Sequence, residues 1–156
     1  MKEVTIRSVL VGTWRVKGLP KGQPRPRAFV RVKRAAVYDP GTAEGWKGDV
    51  ARACAELEGR CLFAPLSVGL SFYLPRPKSH FRANGQLKDA SPVWLHDGKP
   101  DVDNLAKAVL DALTGIRAWR DDAQVCEMRV SRYYECPAKK SPGCLIRICE
   151  LMEVEA

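Results

Sequence analysis

The sequence is short of the residues that bind soft metals. His80 and His96 are the only histidines among 156 residues, and the six cysteines (Cys54, Cys61, Cys126, Cys136, Cys144 and Cys149) contain no C-x-x-C pair. A zinc site is therefore not expected. No apolar run approaches the roughly 20 residues that cross a bilayer, and the opening MKEVTIRSVLVGTW holds too short an apolar stretch for a signal peptide. These absences predict a cytoplasmic chain with no membrane partner and no disulfide framework. Most of the cysteines sit in apolar stretches and are expected to act as small buried hydrophobes. Acid is also missing, from Arg15 through Arg34 (RVKGLPKGQPRPRAFVRVKR).

What is present is a globular composition. Hydrophobic residues at 46% beside 28% charged ones exclude wholesale disorder. The length suits one domain, residues 1–156, with a core of its own. The net charge is +8, and the acid-free stretch carries Lys21, Arg25 and Arg27 on a segment broken by Gly and Pro. Such a loop is a candidate phosphate-binding surface, because polyanion binding is driven by the release of condensed counterions. A solvated basic loop is the alternative.

Hydrophobic periodicity outlines the elements. VTIRSVLVG alternates Val4, Ile6 and Leu10 as a strand, and Phe29 to Pro40 reads as a second, the two forming a hairpin joined by the basic loop. From Ala43 to Leu57, Trp46, Val50, Ala53, Cys54 and Leu57 recur at helical spacing, with Gly59 as the stop. PLSVGLSFYLPRP alternates Leu66, Val68, Leu70, Phe72 and Leu74 and ends at Pro75 and Pro77. Residues 76–98 lack periodicity and read as a long loop. DDAQVCEMRVSRYYE and GCLIRICELMEVE read as the last two strands, separated by the turn residues of CPAKKSPG. The order β-β-α-β-α-β-β predicts an α+β fold, a mixed or mainly antiparallel sheet packed with two helices.

The acids are concentrated in two places. In KPDVDNLAKAVLDALTG, Asp103, Asn104, Lys107 and Asp111 share a helical sector of about 100°, and Leu105, Ala106, Val109, Leu110 and Leu113 cover the opposite side. Asp103 is a suitable N-cap for a helix starting at Asn104. With Asp101 and Asp103 both extended, their carboxylates point the same way and make a seat for a hard divalent cation. The alternative is a simple cap, with Asp103 and Lys107 as an exposed ion pair. Downstream, WRDDAQV carries Asp121 and Asp122; alternation places Asp122 on the face of Cys126, Met128 and Val130, directed inward, and Asp121 away from it. Asp101, Asp103 and Asp122 are then expected to converge. Carboxylates packed together need a cation, and Mg²⁺ suits them. With basic residues to hold a polyanion and Lys107 placed to contact the scissile phosphate, the set suits metal-assisted phosphodiester hydrolysis.

D-x-D-N-x-x-K followed by W-x-D-D resembles the core of the RusA-type Holliday-junction resolvases, endodeoxyribonucleases of bacteria and prophages. The resemblance is close from Lys99 to about Val130; KGQPRPR, VYDP and LPRPKSH extend it loosely over most of the chain. It implies a homodimer that binds four-way DNA junctions and makes paired nicks with Mg²⁺, Asp101, Asp103 and Asp122 being the essential acids and Lys107 the essential lysine. Two symmetric cuts suit a two-fold dimer. Two other readings stay open: a non-catalytic module that binds branched DNA, and a less selective Mg²⁺-dependent nuclease. Asp121 is either an accessory acid that orients water or an exposed turn residue. Trp119 and Trp94 are expected in packing rather than base stacking, and His96 is a proton shuttle or a surface loop residue.

Overall fold

A computed structural model describes residues 3–24, 27–31, 34–38, 43–139 and 141–155. In chain order the elements are β1 (Val4–Lys17), β2 (Arg27–Arg31), β3 (Arg34–Tyr38), α1 (Glu44–Ala53), β4 (Leu66–Leu74), α2 (Val102–Gly115), β5 (Val125–Tyr134) and β6 (Gly143–Glu155). Short 3-10 turns cover Ala55–Leu57, Lys78–His80 and Asp122–Gln124. The expected α+β architecture, a mixed sheet with two helices, is what forms.

The period-two run builds the central strand. Leu66, Val68, Leu70, Phe72 and Leu74 of β4 are buried on one side, and Ser67, Gly69, Ser71 and Tyr73 alternate onto the other. Burial of such side chains contributes about 1.5–3 kcal/mol each. On one edge β4 pairs antiparallel with β6, beyond which lies β1; on the other it pairs in parallel with β5, giving the order β1-β6-β4-β5. Helices α1 and α2 cover the buried side, bringing Trp46 and Val50 together with Leu105, Ala108, Val109 and Leu113. A parallel pair needs a crossover connection, and α2 supplies it.

Four expectations are corrected. First, β1 pairs with β6 over nearly its whole length, not with the segment after the basic loop, because Trp14 and Val16 reach the core only beside Ile146 and Cys144. The stretch expected as one strand from Phe29 instead gives β2 and β3, a two-stranded hairpin of its own. Second, α2 begins at Val102 with Asp101 as its N-cap in extended conformation (φ −68°, ψ 147°), so Asp103 lies in the first helical turn rather than before it. Third, β5 is an edge strand, so Cys126 is exposed and Met128 is 49% exposed instead of packing inward. Fourth, only Cys54, Cys144 and Cys149 are buried, whereas Cys126 and Cys136 face solvent. Burial raises the Cys54 thiol to about 12, which suits a small inert hydrophobe.

The long connection before α2 is ordered by one arginine. Arg76 is buried and donates to the carbonyls of Pro92 (2.6 Å), Val93 (2.5 Å) and Glu135 (3.3 Å). Its guanidinium lies 4.9 Å from the centre of the Tyr134 ring, against which His80 and His96 also pack. Trp94 and His96 then join the end of β5 through Tyr134 N–H to Trp94 O (2.8 Å) and His96 N–H to Arg132 O (3.3 Å). Removing a charged donor from three carbonyls is expected to be costly. Arg76→Met, which keeps the apolar stem over Tyr134, should lower unfolding free energy in urea by about 3 kcal/mol; an unchanged midpoint would show that the loop is held by other contacts.

Candidate functional site

Two carboxylates stand at the mouth of α2. Asp101 stands at the N-cap position without a side-chain capping hydrogen bond and Asp103 occupies the first turn, where the partial positive charge of the unpaired N–H groups favours anions. The Asp101 carboxylate accepts from Lys99 Nζ at 2.6 and 2.7 Å. This pair is solvent-exposed and so contributes little to stability. One turn further along, Lys107 is exposed and pairs with Asp111 at 3.2 Å, rather than with Asp103 as the simpler alternative had it, and Lys47 of α1 reaches the same Asp111 at 3.8 Å. The remaining helix faces fall as expected: Leu105, Ala106, Val109 and Leu113 are buried and Leu110 is packed against the core.

The basic segment after β1 arrives at the same place. Gln23 N–H donates to Asn104 O at 2.8 Å, fastening the chain to the first turn of α2. Gly22 permits the approach, since a Cβ there would lie 2.9 Å from that of Asn104. Exposed Lys21 thereby stands near Lys99, and both line a cavity of about 480 Å³ with His96 and Pro100. Arg25 lies outside the described residues, and Arg27 begins β2. Lys99, Lys47 and Gly22 were not singled out from the sequence. Lys99 could have been found from its place beside Pro100, but the other two depend on helix packing and chain approach that no local pattern signals.

Asp122 is placed elsewhere. It opens the exposed 3-10 turn that leads into β5, close to where the segment after α2 is secured by Trp119 Nε1–H to Thr114 Oγ1 (2.8 Å). Arg132, near the other end of β5, donates to the carbonyls of Gly98 (2.6 Å) and Pro100 (2.8 Å), beside Asp101. The seven-residue advance from Val125 to Arg132 is about 23 Å at 3.3 Å per residue, and the 14 residues of α2 measure about 21 Å. Both rulers put Asp122 on the order of 20 Å from the acid pair. The expected convergence of Asp101, Asp103 and Asp122 within one chain is therefore corrected; among the described residues, no group of three His, Cys, Asp or Glu is arranged to hold a metal.

Asp121 has a structural task. It accepts from Ala123 N–H at 2.8 Å, while Gln124 Oε1 accepts from Asp121 N–H (3.1 Å) and Arg120 N–H (2.9 Å), a reciprocal cap. The Ala123 hydrogen bond above all holds the Asp121 carboxyl below the usual aspartate range. Gln124 Nε2 also donates to Leu62 O (2.8 Å) and Ala64 O (3.2 Å), fixing the turn against the entry to β4. Trp119 is fully in the core, as its packing role required.

Two carboxylates thus stand at one helix mouth, Asp101 paired with Lys99 and Lys21 on the wall of the adjoining cavity. The family model for Endodeoxyribonuclease RusA matches residues 17–148. The chain is also 33% identical over 121 residues to Uncharacterized protein YqaN of Bacillus subtilis (strain 168), covering 76% of this chain and 84% of that protein. This chain belongs to the RusA endodeoxyribonuclease family, and it is an endonuclease of the resolvase type. Among the described residues no helix is long and apolar enough to cross a membrane.

His96 offers a test of the cavity wall. Burial, and after it the nearby Arg132, hold its imidazole below the ordinary value, so the unfolded chain takes up the proton first as pH falls. Its share of stability is complete above about pH 6.5 and is lost as pH drops from there toward the folded value. The thermal midpoint should accordingly decline on acidification from neutrality, and His96→Gln should flatten that decline; identical slopes would mean that His96 is free to protonate.

Proposed function

We infer that the chain, acting as one domain over residues 1–156, is a Mg²⁺-dependent endonuclease that resolves four-way DNA junctions by paired symmetric nicks as a homodimer. The observation that carries this reading is the family match running through both acidic segments while Asp101 and Asp103 open α2 beside a cavity whose wall includes Lys21 and Lys99. Two carboxylates suit Mg²⁺, which keeps several waters and needs few protein ligands. When bound, the ion supplies an activated water and offsets charge on the phosphoryl group. Asp101 and Asp103 hold it; Lys107, one turn along the same helix, contacts the scissile phosphate. Lys21, Arg25 and Arg27 hold flanking phosphates, and a DNA substrate implies action in the cytoplasm.

Asp122 enters this scheme from the other copy. A metal site needs its ligands within a few ångströms, and the length of α2 keeps Asp122 from meeting Asp101 and Asp103 in its own subunit. In a two-fold dimer with the α2 helices of the two subunits antiparallel, Asp122 of the partner subunit faces the acid pair, and the reverse holds at the second site. Each nick then requires both chains.

Asp103→Asn should abolish Mg²⁺-dependent cutting of a synthetic four-way junction and leave its binding equal or stronger, because one acid facing phosphate is gone. Cleavage and gel-shift assays run on the same preparation test this; undiminished nicking would remove that carboxylate from the chemistry, and retained binding with no cutting by the unaltered protein would favour the non-catalytic reading. Replacing Lys21, Arg25 and Arg27 together by Ala should lower the slope of log affinity against log salt by about 2.7 on duplex arms. An unchanged slope would place the DNA on another surface.

A further inference from the structure

Both helices lie against the side of the sheet that carries Leu70, Phe72 and Ile146, and no described helix covers the other side. On that open side the strand register puts Arg129 of β5 and Arg147 of β6 directly across Gly69 of β4. Both arginines are exposed, and neither has an ion-pair partner among the described residues. Adjacent strands are about 4.8 Å apart, so the two backbones stand about 10 Å from each other with no side chain between them. A shallow depression of about 230 Å³ lies there, floored by Gly69 and edged by Ser67 and both arginines.

Four residues along β4, about 13 Å away, the same face carries an aromatic cluster. Tyr73 lies 5.7 Å from Tyr133, and Trp94 lies 5.0 Å from Tyr133 and 6.1 Å from Tyr73 between ring centres. Trp94 is 47% exposed. The Arg15 guanidinium sits 4.9 Å over Tyr73, adding a third cation to the face. Carboxylates stand at the far end of the face, Glu127 in register with Ser67 and Glu153 lining the same depression as Glu127.

We propose that this open sheet face binds an unpaired DNA strand, with phosphates held between Arg129 and Arg147 and a base stacked on the Trp94, Tyr133 and Tyr73 cluster. Fixed cations beside accessible rings are the combination that recognises single strands, where every base has a free flat face. Duplex DNA keeps its bases stacked and cannot use the rings. A second copy of this chain set two-fold about Gly69 would bring the arginines against one another. The inference rests on the endonuclease reading and deepens it: strands at a branch point are where unpaired bases become available.

The test uses the full chain without metal, measuring anisotropy of a labelled short oligothymidylate, a blunt duplex and a four-way junction over a salt series. Arg129→Ala with Arg147→Ala should weaken oligothymidylate binding at least tenfold and lower its salt slope by about 1.4. Arg129→Lys with Arg147→Lys should keep the slope. Trp94→Ala should weaken the same probe about tenfold with the slope unchanged, and Trp94→Phe should recover most of the loss; thermal midpoints check that all variants fold. Wild-type affinity in both alanine variants would overturn the proposal, as would a change in sedimentation coefficient in place of the affinity loss, which would assign the face to contact between copies. Junction cutting by the unaltered protein with Mg²⁺, followed in parallel, separates the two readings. Cutting with unaffected variants removes the face and leaves the enzyme, whereas loss of oligothymidylate binding in the variants without any cutting by the parent leaves the face and removes the enzyme.

Discussion

The parallel pairing of β4 with β5 is the constraint on which the site depends. Parallel neighbours cannot be joined by a tight turn, so the chain returns through α2, which must run opposite to both strands. That single requirement places the start of α2 at the carboxyl ends of β4 and β5, the end of an open sheet at which ligands commonly sit. It also sends the end of α2, and Asp122 after it, to the opposite edge. The helix thus separates two acidic segments that lie close in sequence. In the function proposed above, a metal site that uses both segments is a property of the dimer rather than of the subunit.

A chain with a strong positive excess tolerates acid at that place because several partial compensations meet there. The helix N-terminus favours the carboxylates, Lys99 pairs with Asp101, and Lys21 is brought alongside by the Gln23 to Asn104 hydrogen bond. Asp111 meanwhile holds Lys107 and Lys47 on one stripe of α1 and α2. None of these surface pairs is strong. Their common effect is an acid pair with cations close by, the arrangement on which the proposed function draws.

Much of this was legible in the sequence, for identifiable reasons. The faces of α2 and of β4 follow directly from spacing, since periods of 3.6 and 2 fix which side chains share a side, and Leu105, Val109, Leu113, Leu66, Val68 and Phe72 all fall where those periods put them. Strand partners did not follow, because periodicity gives the face of a strand and is silent on its neighbour. Hence the pattern offers β1 the wrong partner, and the parallel pairing of β5 leaves no mark in it. The inward direction assumed for Asp122 failed for the same reason. Alternation does not reach back through Asp122, which belongs to a 3-10 turn capped by Asp121 and Gln124, and β5 is an edge strand whose Met128 is largely uncovered. Arg76 was equally hidden, since its value lies in three carbonyls brought to it by the fold.

The shared site is tested most directly by mixing two inactive proteins. Asp103→Asn and Asp122→Asn homodimers, each unable to cut, are combined under conditions that allow subunit exchange and assayed on a four-way junction with Mg²⁺. If each site takes Asp103 from one chain and Asp122 from the other, the mixed dimer holds one intact site and one doubly impaired site, and nicking at a single strand reappears without paired resolution. If each chain carries its own complete site, both sites of the mixed dimer stay impaired and no cutting returns, a result that would contradict the account.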